Sequence, residues 1–321
     1  MAIDGLLYVD KEGGGTSHDV VQRVRRIFQQ KRVGHCGTLD PDATGLLLVT
    51  LGQATRLTRF LIQARKVYEG TIQFGIATDT YDASGQVTFE GPAENLAEPH
   101  VDAAMARFLG TFEQRLPAFS ARKIQGVRLY EMARRGEPTP DVSKEVTVDE
   151  FARLDRVHDA RLRFRLTCSS GTYARSLAHD LGEALGCGAH LAELRRTRIG
   201  KPGLWFDVQQ ALRLGEIEAR RGRDEPLGGA FLALGSIPLP FRTGALDAQQ
   251  ERRSHHGQTV LLSGLEGEAG DWVRLVDRAG ELVAVGSIIE RLGSSPASGM
   301  AVIQPRIVFK PGRDMLEFSR T

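Results

Sequence analysis

Cysteine is scarce in this sequence. Cys36, Cys168 and Cys187 lie far apart and no two fall at CxxC spacing. That argues against a disulfide framework or a cysteine zinc site and fits a reducing compartment, so the expected location is cytoplasmic. No stretch approaches ~18 uninterrupted apolar residues, so no membrane-spanning helix is expected. Met1 to Val9 has neither the basic leader nor the apolar core of a secretory signal. Internal repeats and low-complexity tracts are missing too. Net charge is nearly absent: 42 Lys+Arg against 40 Asp+Glu leave +2, and so balanced a total names no partner.

The placement of the charges says more. From Val20 to Tyr68 the only acids are Asp40 and Asp42, against Arg23, Arg25, Arg26, Lys31, Arg32, Arg56, Arg59, Arg65 and Lys66. From Gln114 to Gly136, Arg115, Arg122, Lys123, Arg128, Arg134 and Arg135 face Glu131 alone. Arg195, Arg196, Arg198 and Lys201 cluster around Glu193. One such cluster reads equally well as a solvated face, but three in a neutral chain point to a polyanionic partner.

The 321 residues suggest two domains. A strand over Leu6 to Val9 precedes Gly13-Gly14-Gly15. Thr16 or Ser17 then caps a helix with Val20, Val21, Val24, Ile27 and Phe28 on one face. Gly45 to Leu51 reads as a buried strand, Ala54 to Ala64 as an amphipathic helix, Val67 to Ile76 as a strand and Thr78 to Gly85 as a turn. Arg161 to Thr167 alternates as a strand with one apolar and one cationic face, and Ser176 to Leu185 reads as a helix ended by Gly186. The Pro/Gly-punctuated basic stretch of about residues 114–143 reads as a long insertion, either disordered or a binding element. Ile237 to Ala245 reads as a linker. Beyond it, a hairpin about Arg278-Ala279-Gly280 and a strand from Met300 to Phe309 indicate a small all-β domain. The expected division is 1–242 and 245–321.

Taken alone, Leu39-Asp40-Pro41 is an ordinary turn. Its surroundings are unusual: glycines at Gly34, Gly37 and Gly45, a cationic neighbourhood and an apolar strand just after. A carboxylate flanked by cations stays ionised and can act as a nucleophile.

Four stretches in order then carry a resemblance. Gly34-His35-x-Gly37-Thr38-Leu39-Asp40-Pro41-x-Ala43-x-Gly45, Lys66-x-Tyr68-x-Gly70, Cys168 to Leu177 and Gly186 to Arg196 resemble the motifs of the TruB family of pseudouridine synthases. The likeness runs from Lys11 to about Lys201 and weakens beyond. It departs at Glu12, where the family usually has Pro, and in the glycine-rich Gly13-Gly14-Gly15.

The resemblance implies an α/β (α+β) catalytic domain around a mixed, largely antiparallel sheet, then a PUA-like β-barrel. It implies isomerisation of the T-loop uridine of tRNA (U55), with Asp40 as nucleophile on a flipped base. Attack on the base and attack on the sugar C1′ both stay open here. Tyr68 would stack on the uracil, Arg175 pair with Asp40, Tyr173 lie beside it and Leu194 pack near the base. His35 would hold the RNA loop, and Lys11, Arg122, Lys123, Arg134, Arg195 and Arg196 would contact RNA, with the insertion as a thumb over the T arm. No cofactor, metal or protein partner is expected, and the chain is expected to work as a monomer. His179 and His190 look like lone histidines outside the site. Two alternatives are an RNA-guided synthase subunit of the same superfamily, against which the basic insertion argues, and a non-catalytic tRNA-binding chaperone, against which the intact Asp40 motif argues.

Overall fold

The computed structural model describes residues 3–94, 96–117, 142–155, 157–292 and 299–310, and between 117 and 142 only 123–124, 127–128, 132, 135 and 140. Alternating or continuous apolar runs make most of the strands. Gly5–Lys11 (β1), Val33–His35 (β2), Thr44–Leu51 (β3) and Arg65–Phe74 (β4) come from the first quarter of the chain. Ile76–Thr78 (β5) and Val87–Glu90 (β6) form a separate hairpin, and Lys123–Ile124 (β8) pairs with Val127–Arg128 (β9). Gly110–Arg115 (β7), Ser143–Arg153 (β10), Arg161–Cys168 (β11), Ala189–Lys201 (β12), Leu204–Asp207 (β13) and Phe231–Ala233 (β14) complete a 10-stranded sheet. Its order is β14-β1-β3-β12-β4-β11-β10-β7, with β2 beside β3 and β13 beside β12. All pairings are antiparallel except β3 with β12, so the expected mixed, largely antiparallel sheet is present.

The first helix, Ser17–Ile27 (α1), begins as its sequence dictates. Thr16 accepts from the Asp19 backbone N–H while Asp19 accepts in return, a reciprocal cap. Its valines meet β1 and β3 in a core with Leu7, Leu47 and Val49. On the other half of the sheet, Glu98–Ala106 (α2) and Ala174–Ala184 (α3) cover β4, β10 and β11 around Ile72, Phe164 and Leu177.

Two expectations are corrected. Ala54 to Ala64 is not one helix but a 3-10 turn, Gly52–Leu57, followed by a single turn at Thr58–Leu61. Thr55 donates its hydroxyl to the Gly52 carbonyl and Thr58 bonds Thr50, so the threonines compete with a regular α ladder. Ile237 to Ala245 is not a loose linker either. Ile237 and Leu239 are buried in a core that joins Leu46 and Leu48 to Leu282, Val285, Ile307 and Phe309. Arg242–Ala245 (β15) is itself a strand.

With Val260–Ser263 (β16), Trp272–Val276 (β17), Leu282–Leu292 (β18) and Met300–Val308 (β19), β15 forms the second sheet in the order β15-β17-β18-β19-β16. This five-stranded unit around Val273, Leu275 and Ile303 is the PUA-like β structure expected at the C-terminal end. Among the described residues no helix is long and apolar enough to cross a membrane.

Candidate active site

Asp40 lies on the loop between β2 and β3, and the chain holds this loop from below. Lys11, at the end of β1, is 1% exposed. Its ammonium donates to the carbonyls of Pro41 (2.7 Å), Ala43 (2.8 Å) and Glu12 (3.0 Å). Burial lowers its pKa, and the nearby carboxylates Asp42 and Asp40 oppose that shift. Arg196, on β12, is equally buried and donates to the carbonyls of Leu46 (2.8 Å), Gly37 (3.1 Å) and Thr38 (3.2 Å). Ser17 adds a clamp from α1, accepting from the Leu39 N–H at 2.9 Å and donating to its carbonyl at 3.2 Å. Gly45 must be glycine: its φ is +99°, and a Cβ there would sit 2.3 Å from the Arg196 carbonyl.

Lys11 and Arg196 were expected to contact RNA. The structure places both inside, where backbone carbonyls occupy their donors. The departure at Glu12 leaves Lys11 in place, because the bond uses a backbone carbonyl that any residue supplies. Arg195 points the other way and makes a two-pronged pair with Asp10 (2.8 and 2.9 Å). The cationic face of β11 is engaged as well: Arg161 donates to Gln73, Arg163 pairs with Asp155 and Arg165 with Glu69. Arg122 and Arg134 lie outside the described residues. Lys123 belongs to the short β8 strand.

Above the loop, Arg175 in the first turn of α3 brings Nε to 3.4 Å from Asp40 Oδ2. The arginine is 5% exposed and the aspartate 42%, so the cation is fixed in the protein while the carboxylate faces the opening. The guanidinium also donates to the Thr80 carbonyl at 3.3 Å, lies 3.9 Å from Asp82 and sits over the Tyr173 ring at 5.7 Å. Tyr68 on β4 is buried beside Leu39 and opposite Arg196 in the β4–β12 ladder. Burial raises its hydroxyl pKa and the Arg196 charge opposes the rise. Leu194 packs against the same cluster. His35 is half-buried, and burial followed by the Arg196 charge holds its imidazole below the ordinary value.

The arrangement is a half-open carboxylate, paired with a buried arginine and backed by an aromatic ring, on a loop immobilised through its own carbonyls. Comparison with known proteins gives the family. The TruB family pseudouridylate synthase N-terminal domain matches residues 25–174, and the tRNA pseudouridylate synthase B C-terminal domain matches residues 175–228. The tRNA pseudouridine synthase B of Solibacter usitatus is 40% identical over 288 residues, 89% of this chain and 96% of its own. The chain belongs to the TruB family of pseudouridine synthases. A protein of the same name from Thermobifida fusca is 44% identical over 83% of this chain and 90% of its own. Among solved structures, a chain of an H/ACA RNP bound to a substrate RNA containing 2′-deoxyuridine is 25% identical, with a TM-score of 0.71 over 96% of this chain and 85% of that one.

Two groups of residues in this TruB-family site escaped sequence reasoning. Thr80 and Asp82, read only as turn formers, reach Arg175 from a segment nearly a hundred residues away. Gln114 is 1% exposed, accepts from the Tyr173 N–H at 2.8 Å and donates to the Tyr173 carbonyl at 3.0 Å. A polar residue in the alternating run Gly110 to Arg115 was the one available signal for Gln114, and periodicity alone gave it no partner.

Proposed function

We propose that this protein converts the T-loop uridine of tRNA (U55) to pseudouridine, with Asp40 as nucleophile. The observation that carries the reading is the Asp40–Arg175 pair, a partly exposed carboxylate 3.4 Å from a buried guanidinium. Such a cation, fixed in the protein, holds the carboxylate in one orientation and aims it at an incoming base. The names of the curated relatives, tRNA pseudouridine synthase B, support tRNA as the substrate.

The target base must leave its stack to reach the carboxylate. Tyr68 and Leu194 provide an apolar and aromatic wall that recovers part of the few kcal/mol spent on flipping. With Asp40 attached, the bond between N1 of uracil and C1′ breaks, the base turns, C5 bonds to C1′, and the bond to Asp40 breaks to return the free carboxylate. C5 then loses its proton and N1 carries one, so substrate and product have the same atoms. Arg175 holds the carboxylate through these steps, and the His35 side of the loop faces the RNA. The chain acts alone, as a monomer in the cytoplasm, with the insertion of residues 114–143 against the T arm.

Tritium release from tRNA labelled at uridine C5 tests this directly. Wild type should release tritium from a T-arm transcript without any guide RNA, whereas Asp40→Asn should bind and release none. Equal release by both proteins would sink the nucleophile assignment. A requirement for added guide RNA would favour the RNA-guided reading that the H/ACA likeness suggests.

A further inference from the structure

Arg175 takes its aim from the segment Thr80 to Asp82 as well as from its own helix. That segment has an unusual backbone. Tyr81 adopts φ +66°, a left-handed conformation that bulky residues rarely take. The consequence is a divergence of neighbouring carbonyls. The Thr80 carbonyl turns to Arg175 at 3.3 Å, while the Tyr81 carbonyl accepts from the Leu191 N–H of β12 at 2.9 Å. Asp82 is then fixed by its neighbours: its Oδ1 accepts from the hydroxyls of Thr80 (2.7 Å) and Ser84 (2.6 Å), and its Oδ2 lies 3.9 Å from Arg175.

Glycine would satisfy such a backbone more easily, so the tyrosine ring calls for its own reason. The ring lies flat on His179, with centroids 3.8 Å apart and planes 14° from parallel. His179 follows Arg175 by four residues on α3, one turn further along the same helix face. The stack therefore ties the strained segment to the helix that carries the arginine. Burial holds the His179 imidazole below its ordinary pKa, so a neutral ring faces Tyr81 and adds no like charge near Arg175. Asp180, Glu183 and Arg115 complete the surroundings of the tyrosine hydroxyl.

We propose that Tyr81 and His179 are a positioning pair: their stack holds Thr80 and Asp82 against Arg175 and so fixes the guanidinium on Asp40. The proposal rests on Asp40 and Arg175 being the reacting pair. It assigns a role to one of the two histidines that sequence reasoning set aside.

The test compares Tyr81→Phe, Tyr81→Gly, His179→Phe and His179→Leu by single-turnover pseudouridine formation, tRNA Kd and thermal melting. Tyr81→Gly relieves the backbone but removes the ring, and His179→Leu keeps the bulk but removes the flat face. Both should lose rate by on the order of tenfold to a hundredfold while Kd moves less than about threefold, the split expected of a misaimed group. Tyr81→Phe and His179→Phe should stay within about threefold of wild type in rate. Wild-type rate in Tyr81→Gly, or equal rates in His179→Leu and His179→Phe, would overturn the proposal. Should Tyr81→Gly melt below the assay temperature, the two His179 variants decide alone. A wild-type protein that forms no pseudouridine at all refutes the functional reading instead, which keeps the two failures apart.

Discussion

The guanidinium of Arg196 donates to the Gly37 carbonyl at 3.1 Å, across 159 residues of sequence. With Lys11 on the Pro41 carbonyl, it turns the Asp40 loop into a fixed element although the loop has little regular structure of its own. The cations act through the backbone, so the loop's path depends on buried charges as well as on the burial of Leu39 and Ala43 in the core.

Arg196→Met removes the donors to three carbonyls and should cost about 3 kcal/mol of stability, with Arg196→Lys recovering only part because a point charge cannot reproduce the fork. Chemical denaturation measures it. Turnover should fall with the loop, while the slope of log affinity for tRNA against log salt stays unchanged, since this guanidinium faces carbonyls and not phosphates. Arg32, exposed just before β2 in the cationic stretch Val20 to Tyr68, gives the contrast: Arg32→Ala should reduce that slope by about one. A reduced slope in Arg196→Met would show that the residue does meet RNA.

Gln114→Leu removes both bonds to the Tyr173 backbone in a place closed to water. The unpaired N–H and carbonyl should cost about 2 kcal/mol, and the single-turnover rate should drop because Tyr173 leads directly into the helix turn that carries Arg175. Urea denaturation and rapid-quench assays check the two effects. Unchanged rate with lowered stability would confine Gln114 to a structural role.

Burial raises the Asp180 carboxyl to about 6, Glu183 adds to the rise and Arg115 opposes it. An unfolded aspartate titrates near about 3.9, so between about pH 4 and 6 the folded protein holds more protons than the unfolded chain. Stability contributed by this group therefore falls as pH rises through that window, and the cost is fully present above it. Asp180→Asn should be more stable than wild type by about 1–2 kcal/mol at pH ~7.5, allowing for partial exposure, and lose that advantage below pH ~4. Parallel melting curves against pH for the two proteins would contradict this.

Much of the protein was legible in the residues themselves. The helix Ser17–Ile27 with its Thr16 cap, the strand into which Gly45 leads, and the hairpin about Gly280 follow from local periodicity and turn chemistry, which need only neighbours a few residues away. Asp40 was marked by its position in an acid-poor stretch and by the motif around it, and Arg175 pairs with it as the motif order implied. The sign of the charge at Lys11, Arg195 and Arg196 was equally plain, but its direction was not. Irregularities in the β4–β12 ladder, between Leu191 and Glu193 and again between Arg196 and Arg198, shift the alternation. A one-residue shift exchanges the faces of a strand, so Arg196 turns in and Arg198 turns out. The Tyr81–His179 stack, the Gln114 clamp and the reach of Thr80 to Arg175 join segments from 59 to 98 residues apart. Sequence determined which chemistry this protein carries. Only the register of the sheet and the packing of its distant loops decided which of its charges meet solvent and which hold the site together.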